Sequence, residues 1–506
     1  MKRLICLMLC LILLCGCSAD PESPYVPTGN GLSPDVPDRP QGSAVTEHKI
    51  SLAYNPNHTL SPFKATDITN RTLFSLLYQG LFAVDEHYVA NPVLCKSYTV
   101  SRDMKTYTFT LAEASFSDGE PVTVKDVAAS LKAASTSAYY GGRFSYVEKI
   151  TTQEDALVIT LSIPYENLPL LLDVPIVPEG QVEKDRPIGS GPYVYEEYEG
   201  ALRLRRRSDW WCSANLPVNG KIITLIQGSS TSQLRDAFEF SGLGMVCIDP
   251  GSEGYVDFHS DYELWDCETG VFVYLACNED SPLFSSKKLR QALSCAVDRD
   301  YLVETFYRGF GYSTYLPASP NSPCYSQVLA KEMSYHPEKF TGALAAVEDE
   351  KTIVFLVNKD DHIRLRVARY IAAGLEQSGL KVTLSELATT DYVAALEKGE
   401  FDLYLGQTKL SANMDLSAFF AKDGSLNFGG LDDAVTYDLC QEALANSGNY
   451  YTLYKEILDD GMLCPLLFRS SAIFVQRGML TDLFAARDNV FYYDFGTDPD
   501  SIKTIE

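Results

Sequence analysis

The sequence predicts a chain of the α/β or α+β class, divided into two or three lobes. Segments with strand-like alternation and segments with helical spacing of apolar residues follow one another from His48 onward. Several strand–helix units occur late in the chain, which favours the α/β class. At 506 residues the chain exceeds one ordinary hydrophobic core, and its hydrophobic content of 46% is enough to fill more than one.

The predicted elements begin with KISLAY at residues 49–54, whose apolar alternation indicates a strand. RTLFSLLYQGLF at residues 71–82 has helical spacing and predicts a helix. The other predicted elements, in chain order, are strands at 105–111 and 156–163, helices at 287–296 and 301–306 separated by Asp298-Arg299-Asp300, a helix at 367–377 that Gly379 ends, and a strand at 381–384.

Residues 1–16 have the character of a signal peptide. Lys2 and Arg3 precede an apolar run at Leu4–Leu14, which is shorter than the ~20 residues of a spanning helix. The run ends in LCGC, which resembles the lipobox of bacterial lipoproteins and implies cleavage before Cys17 and lipidation of that cysteine. The alternative is an ordinary secretory signal with a chance cysteine. Residues 17–47, dense in Pro, Gly, Ser and Asp, are expected to form a disordered tether.

The net negative charge of the chain excludes some classes of binding partner. Lys and Arg number 42 against 67 Asp and Glu, which gives a net charge of −25. Such an acidic surface repels phosphates and anionic lipid, so we expect no nucleic acid partner and membrane contact only through the N-terminal lipid. Nine cysteines follow Cys17 without any CxxC pair, and they are predicted to be buried small apolar residues rather than disulfides or a zinc site.

The stretch FSDGEPVTVKDVAASLKAA at residues 116–134 contains three acids beside a glycine. Asp118 and Gly119 supply turn chemistry after a strand, and Thr123 with Asp126 forms a capping-box pattern. The apolar face that follows predicts a helix that packs inward. A calcium loop would need oxygen ligands at alternating positions, where this stretch has valines. We therefore interpret the acids as architectural.

The remaining residue patterns favour binding over catalysis. The six histidines form no HxxxH or HxH pair that could hold a metal, and no G-x-S-x-G nucleophile motif occurs. GSSTS at residues 228–232 lacks the lysine of a phosphate-binding loop. We predict no catalytic residue, no metal and no cofactor. A pair of catalytic carboxylates, as in glycosidases, remains an alternative. The chain contains so many Asp and Glu residues that their number alone does not exclude such a pair.

The stretch YTFTLAEASFSDGEPVTVKDVAASL resembles the most recognisable segment of the family 5 extracellular solute-binding proteins, the peptide and nickel receptors of ABC importers. Five further blocks, spread over residues 48–475, are similar to that family in the same order. They are LSPFKATDITNRTLFSLLYQGLF, NPVLCKSYTVSRDMKTY, IGSGPYVYEEY followed by RRRSDWW, SPLFSSKKLRQALSCAVDRDYLV and YHPEKFTGAL.

The resemblance implies a two-lobed α/β flytrap of the class II (cluster C) periplasmic-binding-protein type, with an extra subdomain on the N-terminal side. Ligand binds between lobes that close about a hinge. The implied division assigns residues 48–74, 184–266 and 476–506 to lobe I, residues 75–183 to the extra subdomain, and residues 267–475 to lobe II. The chain is expected to cross between the lobes at CETGVFVYLACN, residues 267–278, and at LLFRSSAIFV, residues 466–475.

The function that the resemblance implies is capture without chemistry. The chain would be a monomeric, lipid-anchored receptor on the outer face of the cytoplasmic membrane that binds a peptide or small solute and delivers it to ABC permease subunits. Alternatives are a peptide-sensing or accessory receptor of the same fold, capture of a metal chelate, and a lipid-anchored hydrolase.

The family's ammonium-binding segment corresponds here to GQTKLSANMDLSAFF, residues 406–420. Gln407 stands where the family has a tryptophan, and the usual acid is missing, so Asp415 is the nearest carboxylate that could replace it. A helix cap before LSAFF is the alternative role for Asp415. The resemblance also implies ligand contacts for Asn278 at the end of the first crossing, and for Tyr54 and Asn57 after the first strand.

Overall fold

The computed structural model describes residues 50–213, 220–240, 242–251, 258–259, 261–348, 350–480, 483 and 485–491. The predicted signal peptide at residues 1–16, the lipidation site Cys17 and the predicted tether at 17–47 lie outside the described residues. Within the described residues, no helix is both long enough and apolar enough to cross a bilayer.

The largest sheet of the described residues is mixed and has eleven strands, and its two longest strands lie in the middle of the strand order. Its order is β15-β14-β16-β12-β17-β11-β1-β10-β9-β8, and β13 pairs with β17 outside this path. Its strands are β1 Ser51–Tyr54, β8 Tyr193–Tyr198, β9 Ala201–Arg206, β10 Ile222–Gln227, β11 Met245–Ile248, β12 Tyr262–Cys277, β13 Gly311–Ser313, β14 Thr352–Asn358, β15 Lys381–Leu387, β16 Leu403–Lys409 and β17 Leu463–Gln476.

Two smaller sheets come from the early part of the chain. Their strands are β2 Phe82–Val84, β3 Ala90–Pro92, β4 Cys95–Val100, β5 Thr106–Leu111, β6 Val147–Gln153 and β7 Ala156–Leu161. β2 pairs with β3, and the other four form an antiparallel sheet in the order β4-β5-β7-β6.

The helices cover the faces of these sheets. They are α1 Ile68–Arg71, α2 Phe74–Leu77, α3 Val124–Ser135, α4 Thr231–Phe240, α5 Lys287–Cys295, α6 Arg299–Phe306, α7 Gln327–Lys331, α8 Pro337–Ala345, α9 His362–Gln377, α10 Thr389–Lys398, α11 Ser417–Phe420, α12 Ala434–Ala445 and α13 Tyr450–Asp460. The mixed α/β class is therefore confirmed.

Two large hydrophobic cores are built around opposite ends of the long strands. One joins β1 and β9–β11 to the four-stranded sheet and α3, and we call this part the N-terminal lobe. The other lies among β14, β16 and the helices α5, α6 and α9–α13, and we call this part the C-terminal lobe. The nine cysteines that follow Cys17 are unpaired thiols, and all except Cys324 are buried.

The long strands β12 and β17 are antiparallel partners through both lobes. A bulge interrupts their register between Glu268 and Phe272, opposite Arg469. Gly270 lies in the bulge with a φ of +69°, a conformation that favours glycine. The segments predicted to cross between lobes, residues 267–278 and 466–475, lie within or at the ends of these two strands.

One predicted helix is wrong in extent. Residues 71–82 form only the end of α1, all of α2 and the start of β2. The chain leaves the helical path at Tyr78, whose backbone is extended, and Gly80 then packs so tightly against the backbone of Asp173 that a Cβ there would lie 3.0 Å from it. Helical spacing alone does not report this long-range contact. The other predicted elements are found within a few residues of their expected bounds.

The stretch at residues 116–134 forms the turn and helix that its pattern predicts. Asp118 accepts a hydrogen bond from the Glu120 amide at 3.1 Å. Asp126 accepts from the Thr123 amide at 2.9 Å, from the Thr123 hydroxyl at 2.6 Å and from the Glu179 amide at 2.8 Å. The architectural interpretation of Asp118 and Asp126 agrees with these contacts, because both side chains bind the backbone.

Replacing Asp126 by alanine should lower the free energy of unfolding by about 1–2 kcal/mol, because the start of α3 loses its cap and the Glu179 amide loses its partner. Urea denaturation measures the change. The matched control is Glu120→Ala, which removes an exposed acid of the same stretch and should cost less than about 0.5 kcal/mol. Equal losses for the two variants would contradict the capping role.

Candidate functional site

A cavity of about 560 Å³ lies where the N-terminal and C-terminal lobes meet. The N-terminal lobe contributes the turn after α3, and the C-terminal lobe contributes the end of β16, the loop after it and α11. Its volume is within the range of about 300–1,000 Å³ that small-molecule sites have. The lining residues are Ala138, Tyr139, Gly142, Arg143, Ser145, Tyr146, Thr408, Lys409, Leu410, Ser411, Asp415, Ser417, Ala418, Ala421, Ser425, Leu426, Tyr437 and Arg487.

Asp415 provides the acidic group of this cavity. The loop after β16 brings it to the N-terminal end of α11, where its carboxylate accepts a hydrogen bond from the Ser417 amide at 2.9 Å. The side chain is half-buried, and this loss of water raises the pKa of Asp415, against the opposing effect of its hydrogen bonds to Ser417. Asp415 therefore lines the cavity and also binds the helix start.

Polar side chains from both lobes surround Asp415. Gln441 Nε2 donates to the Tyr146 hydroxyl at 3.1 Å and to Ser417 Oγ at 3.0 Å, while Gln441 Oε1 is buried and has no hydrogen-bond partner among the described residues. Burial, and then the nearby Asp415 carboxylate, raise the pKa of Tyr146 to about 12, so its hydroxyl stays protonated at neutral pH. This part of the cavity can both donate and accept hydrogen bonds.

Three cations line the cavity, and we call Arg143, Lys409 and Arg487 the cationic wall. Lys409 Nζ donates to Asp488 Oδ1 at 2.6 Å and to the Tyr139 hydroxyl at 2.8 Å. Arg143 forms an ion pair with Asp173, and Arg487 donates to the Leu410 carbonyl. The wall thus joins residues that are remote in the sequence and belong to both lobes.

Tyr139 is held between two cations at the edge of the cavity. The Arg71 guanidinium lies 3.1 Å from its ring centroid and Lys409 Nζ lies 4.2 Å from it. Arg71 also donates to the Tyr140 hydroxyl at 3.0 Å. Cation–π contacts of this kind fix both the ring and the ammonium group.

The structure brings only one of the five predicted ligand-binding residues to this cavity, namely Asp415. Gln407 lies on β16, where its Oε1 accepts from Arg469 at 3.1 Å, and Arg469 also donates to both oxygens of Asp249. Asn278 follows the last residue of β12, and its amide donates to the carbonyls of Gly399 and Phe401.

Tyr54 is the last residue of β1 and Asn57 follows three residues later, and neither lines the cavity. Tyr54 is buried in the core of the N-terminal lobe, and Asn57 is exposed, with its backbone N–H donating to Asn55 Oδ1 at 3.1 Å. Sequence reasoning missed the cationic wall. Lys409 lies inside the quoted segment 406–420, but nothing local marks Arg143 or Arg487 as its neighbours.

Among the residues that the structure describes, no three His, Cys, Asp or Glu side chains gather in a way that could hold a metal ion. The polar side-chain groups that line the cavity are three cations, one carboxylate and several hydroxyls. Such groups can bind a polar or charged solute through ion pairs and hydrogen bonds.

The chain is similar to known proteins in sequence and in fold. Residues 90–427 match the family model for bacterial extracellular solute-binding proteins, family 5 Middle. The glutathione-binding protein GsiB of Escherichia coli (strain K12) is 24% identical over 401 residues, which cover 72% of this chain and 75% of that protein.

Two solved structures illustrate the likeness in fold. HbpA2 from Haemophilus parasuis superposes with a TM-score of 0.75 at 17% identity, covering 89% of this chain and 99% of that one. The oligopeptide-binding protein AppA from Bacillus subtilis, solved with a nonapeptide, gives a TM-score of 0.61 at 19% identity, covering 88% of this chain and 97% of that one.

Proposed function

Since this chain belongs to the family 5 bacterial extracellular solute-binding proteins, we propose that it is a lipid-anchored receptor that captures a peptide or peptide-like solute between its lobes. Proteins of this family bind peptides or related solutes for ABC importers and are transport receptors rather than enzymes. The hydrolase alternative is therefore set aside.

The observation that carries the proposal is the cavity of about 560 Å³ at the meeting of the two lobes. Its lining comes from the turn at residues 138–146 and from the segment at 408–437, so a bound solute would contact both lobes at once. A ligand that contacts both lobes favours the closed arrangement, because only that arrangement provides the full set of contacts.

The choice of a peptide-like ligand rests on the polar groups of the cavity and on the relatives. GsiB is named as a glutathione-binding protein, and AppA was solved with a nonapeptide. In our proposal, Asp415 binds the ammonium group of the ligand, in place of the family's missing acid. The contacts predicted for Gln407, Asn278, Tyr54 and Asn57 stay predictions, and these four residues lie outside the lining of this cavity.

The proposed cellular setting is the outer face of the cytoplasmic membrane, either at the cell surface or in the periplasm. LCGC at residues 14–17 supports cleavage before Cys17 and attachment of lipid to it, and the chain from 18 to 47 would act as a tether. The receptor would work as a monomer and hand its ligand to ABC permease subunits.

Native mass spectrometry of residues 18–506, purified from cells, tests the proposal directly. We expect an adduct with the mass of a peptide or peptide-like solute. When that ligand is removed from the protein and then added back, small-angle scattering should show a decrease in the radius of gyration. A preparation that binds none of a broad library of di- to nonapeptides and shows no compaction would contradict the proposal.

Replacing Asp415 by alanine should weaken the binding of free-amine peptides by about 30-fold, or roughly 2 kcal/mol, because the ligand ammonium group would be left without a carboxylate partner. Isothermal titration calorimetry measures the affinity. The same variant should bind N-acetylated peptides as the natural protein does.

The matched control for this prediction is Asp438→Ala on α12, which removes an exposed acid and should leave both affinities unchanged. Unchanged affinity of Asp415→Ala for free-amine peptides would remove Asp415 from the site.

A further inference from the structure

The loop after β7 connects the N-terminal lobe to the C-terminal lobe outside the lining of the cavity. The Glu166 N–H donates to the Leu444 carbonyl at 2.8 Å, and the Ser447 N–H donates to Glu166 Oε2 at 2.6 Å. Beside Glu166, the Tyr165 hydroxyl accepts a hydrogen bond from Asn413 Nδ2. We call Tyr165, Glu166, Asn413, Leu444 and Ser447 the clasp. None of these five residues is among those that line the cavity.

The two lobes also exchange apolar side chains near the clasp. Leu444 is 3% exposed and belongs to the core of the N-terminal lobe, whereas Cys440 and Ala443 of the same helix belong to the core of the C-terminal lobe. In the opposite direction, Leu170 belongs to the core of the C-terminal lobe, and its neighbour Leu171 belongs to that of the N-terminal lobe. Each lobe therefore buries an apolar side chain that the other lobe supplies.

Each half of the clasp is held in place by its own lobe. On the N-terminal side, the Tyr107 hydroxyl of β5 donates to the Glu166 carbonyl at 2.8 Å. On the C-terminal side, the Tyr450 hydroxyl of α13 donates to the carbonyl of Asn413, which is buried. Contacts between parts that are already ordered cost little conformational entropy when they form.

Helix α12 connects the cavity with the clasp. Tyr437 lines the cavity, Gln441 Nε2 donates to Tyr146 across the lobes, and Leu444 enters the core of the other lobe. Residues at this spacing lie on one face of a helix. Along this face, the space between the lobes is a cavity at one end and is filled by protein side chains at the other.

The contacts of the clasp are made by the protein alone. Both partners of each hydrogen bond, and both cores that receive a leucine, belong to this chain. Separation of the lobes would expose Leu444 to water, which burial of apolar surface opposes. The clasp thus favours the closed arrangement by an amount that does not depend on the chemistry of the ligand.

On the basis of the proposed function, we propose that the clasp closes the lobes in a fraction of the molecules before a ligand binds, and that it strengthens the binding of every ligand by the same factor. Tyr165, Asn413 and Leu444 are positioning residues for capture, because they act through the arrangement of the lobes. The ligand then selects and completes an arrangement that the protein already populates.

Small-angle scattering of residues 18–506, stripped of ligand, tests closure by the clasp. We expect Leu444→Ala to increase the radius of gyration. The closed arrangement loses buried apolar contacts in this variant, whereas in the open arrangement the side chain faces water. The same radius for the variant and the natural protein would overturn the inference.

Tyr165→Phe tests the effect on binding, because it removes only the hydroxyl that Asn413 contacts. The probes are trialanine and glutathione, and stopped-flow measurements give their dissociation rates. We expect both rates to rise by the same factor of about five, since one buried hydrogen bond of the closed arrangement is lost. A change for one probe alone would show that Tyr165 acts on the ligand directly, and would overturn the inference.

The matched control is Tyr392→Phe on α10, whose hydroxyl donates to the Leu405 carbonyl at 2.9 Å within the C-terminal lobe. It should lower the urea midpoint of the ligand-free protein and leave the radius of gyration and both dissociation rates unchanged. Tyr165→Phe should show the reverse pattern. The same pattern in both variants would mean that the clasp is permanent packing, and would overturn the inference.

The outcomes separate this inference from the proposed function. Binding of the probes with unchanged radius and unchanged dissociation rates in Leu444→Ala and Tyr165→Phe would overturn the clasp and leave the receptor standing. Absence of binding by both probes and by the di- to nonapeptide library, together with expansion of Leu444→Ala, would overturn the proposed function and support closure by the clasp.

Discussion

Replacing Arg299 by methionine should lower the free energy of unfolding by about 4 kcal/mol, which is the largest effect of a single substitution that we expect in this protein. Arg299 begins α6 and is only 1% exposed. Its guanidinium donates to the carbonyls of Thr314, Pro465, Ser294 and Val297, at distances between 2.7 and 3.1 Å.

The cost comes from the groups that would remain. Arg299 Nη2 also donates to Ser294 Oγ at 2.9 Å and approaches Cys464 Sγ at 3.4 Å, and its guanidinium lies 4.0 Å from the ring of Tyr315. Methionine fills similar space but donates nothing, so several buried carbonyls would lose their partners. Because Thr314 and Pro465 come from different parts of the chain, the packing of α6 against β17 would loosen.

Urea denaturation followed by circular dichroism measures this effect. The control is Arg366→Met on α9, where the arginine is exposed and lies 5.4 Å from the ring centroid of Phe306, and where we expect a loss below about 0.5 kcal/mol. A loss below about 1.5 kcal/mol for Arg299→Met would show that the buried network contributes little.

Replacing Gly270 by alanine should lower the free energy of unfolding by about 3 kcal/mol and weaken ligand binding as well. About 1–2 kcal/mol of this comes from the φ of +69°, which a residue with a Cβ adopts poorly. The rest arises because a Cβ at Gly270 would overlap the guanidinium of Arg487, which then has to leave Asp488 and the Leu410 carbonyl.

Gly478 supplies the matched control for this prediction. It has a φ of +77°, and a Cβ there would meet no atom within 4 Å. Gly478→Ala should therefore show the backbone cost of about 1–2 kcal/mol alone and should leave ligand affinity unchanged. Thermal unfolding and calorimetry with the same peptides compare the two variants. Identical behaviour would mean that Arg487 needs no space beside the bulge.

The sequence predicts best those features that depend on residues close to one another in the chain. The turn at Asp118 and the cap at Asp126 depend on residues within a few positions of one another, and their side chains bind the backbone as the pattern requires. The end of α9 before Gly379 has the same origin. The two-lobed fold could be predicted because six motifs in order resemble one family, not because periodicity alone specifies the order of strands.

The candidate site was predictable only where it coincides with such a motif. Asp415 lies in the segment that, by resemblance, corresponds to the family's ammonium-binding segment, so it could be named from the sequence. Arg487 meets the Leu410 carbonyl from 77 positions away, and Lys409 meets Tyr139 from 270 positions away. Contacts at that separation are set by how the lobes pack, and neither composition nor spacing contains that information.

The continuity of β12 and β17 through the bulge has a mechanical consequence. Among the described residues, two paired strands join the lobes, and we expect the lobes to move relative to each other by bending of these strands. Much of their relative orientational freedom is therefore lost when the chain folds, not when the solute arrives. Binding of the solute then has to order less of the protein. A larger share of the free energy of the contacts between protein and solute therefore contributes to the affinity.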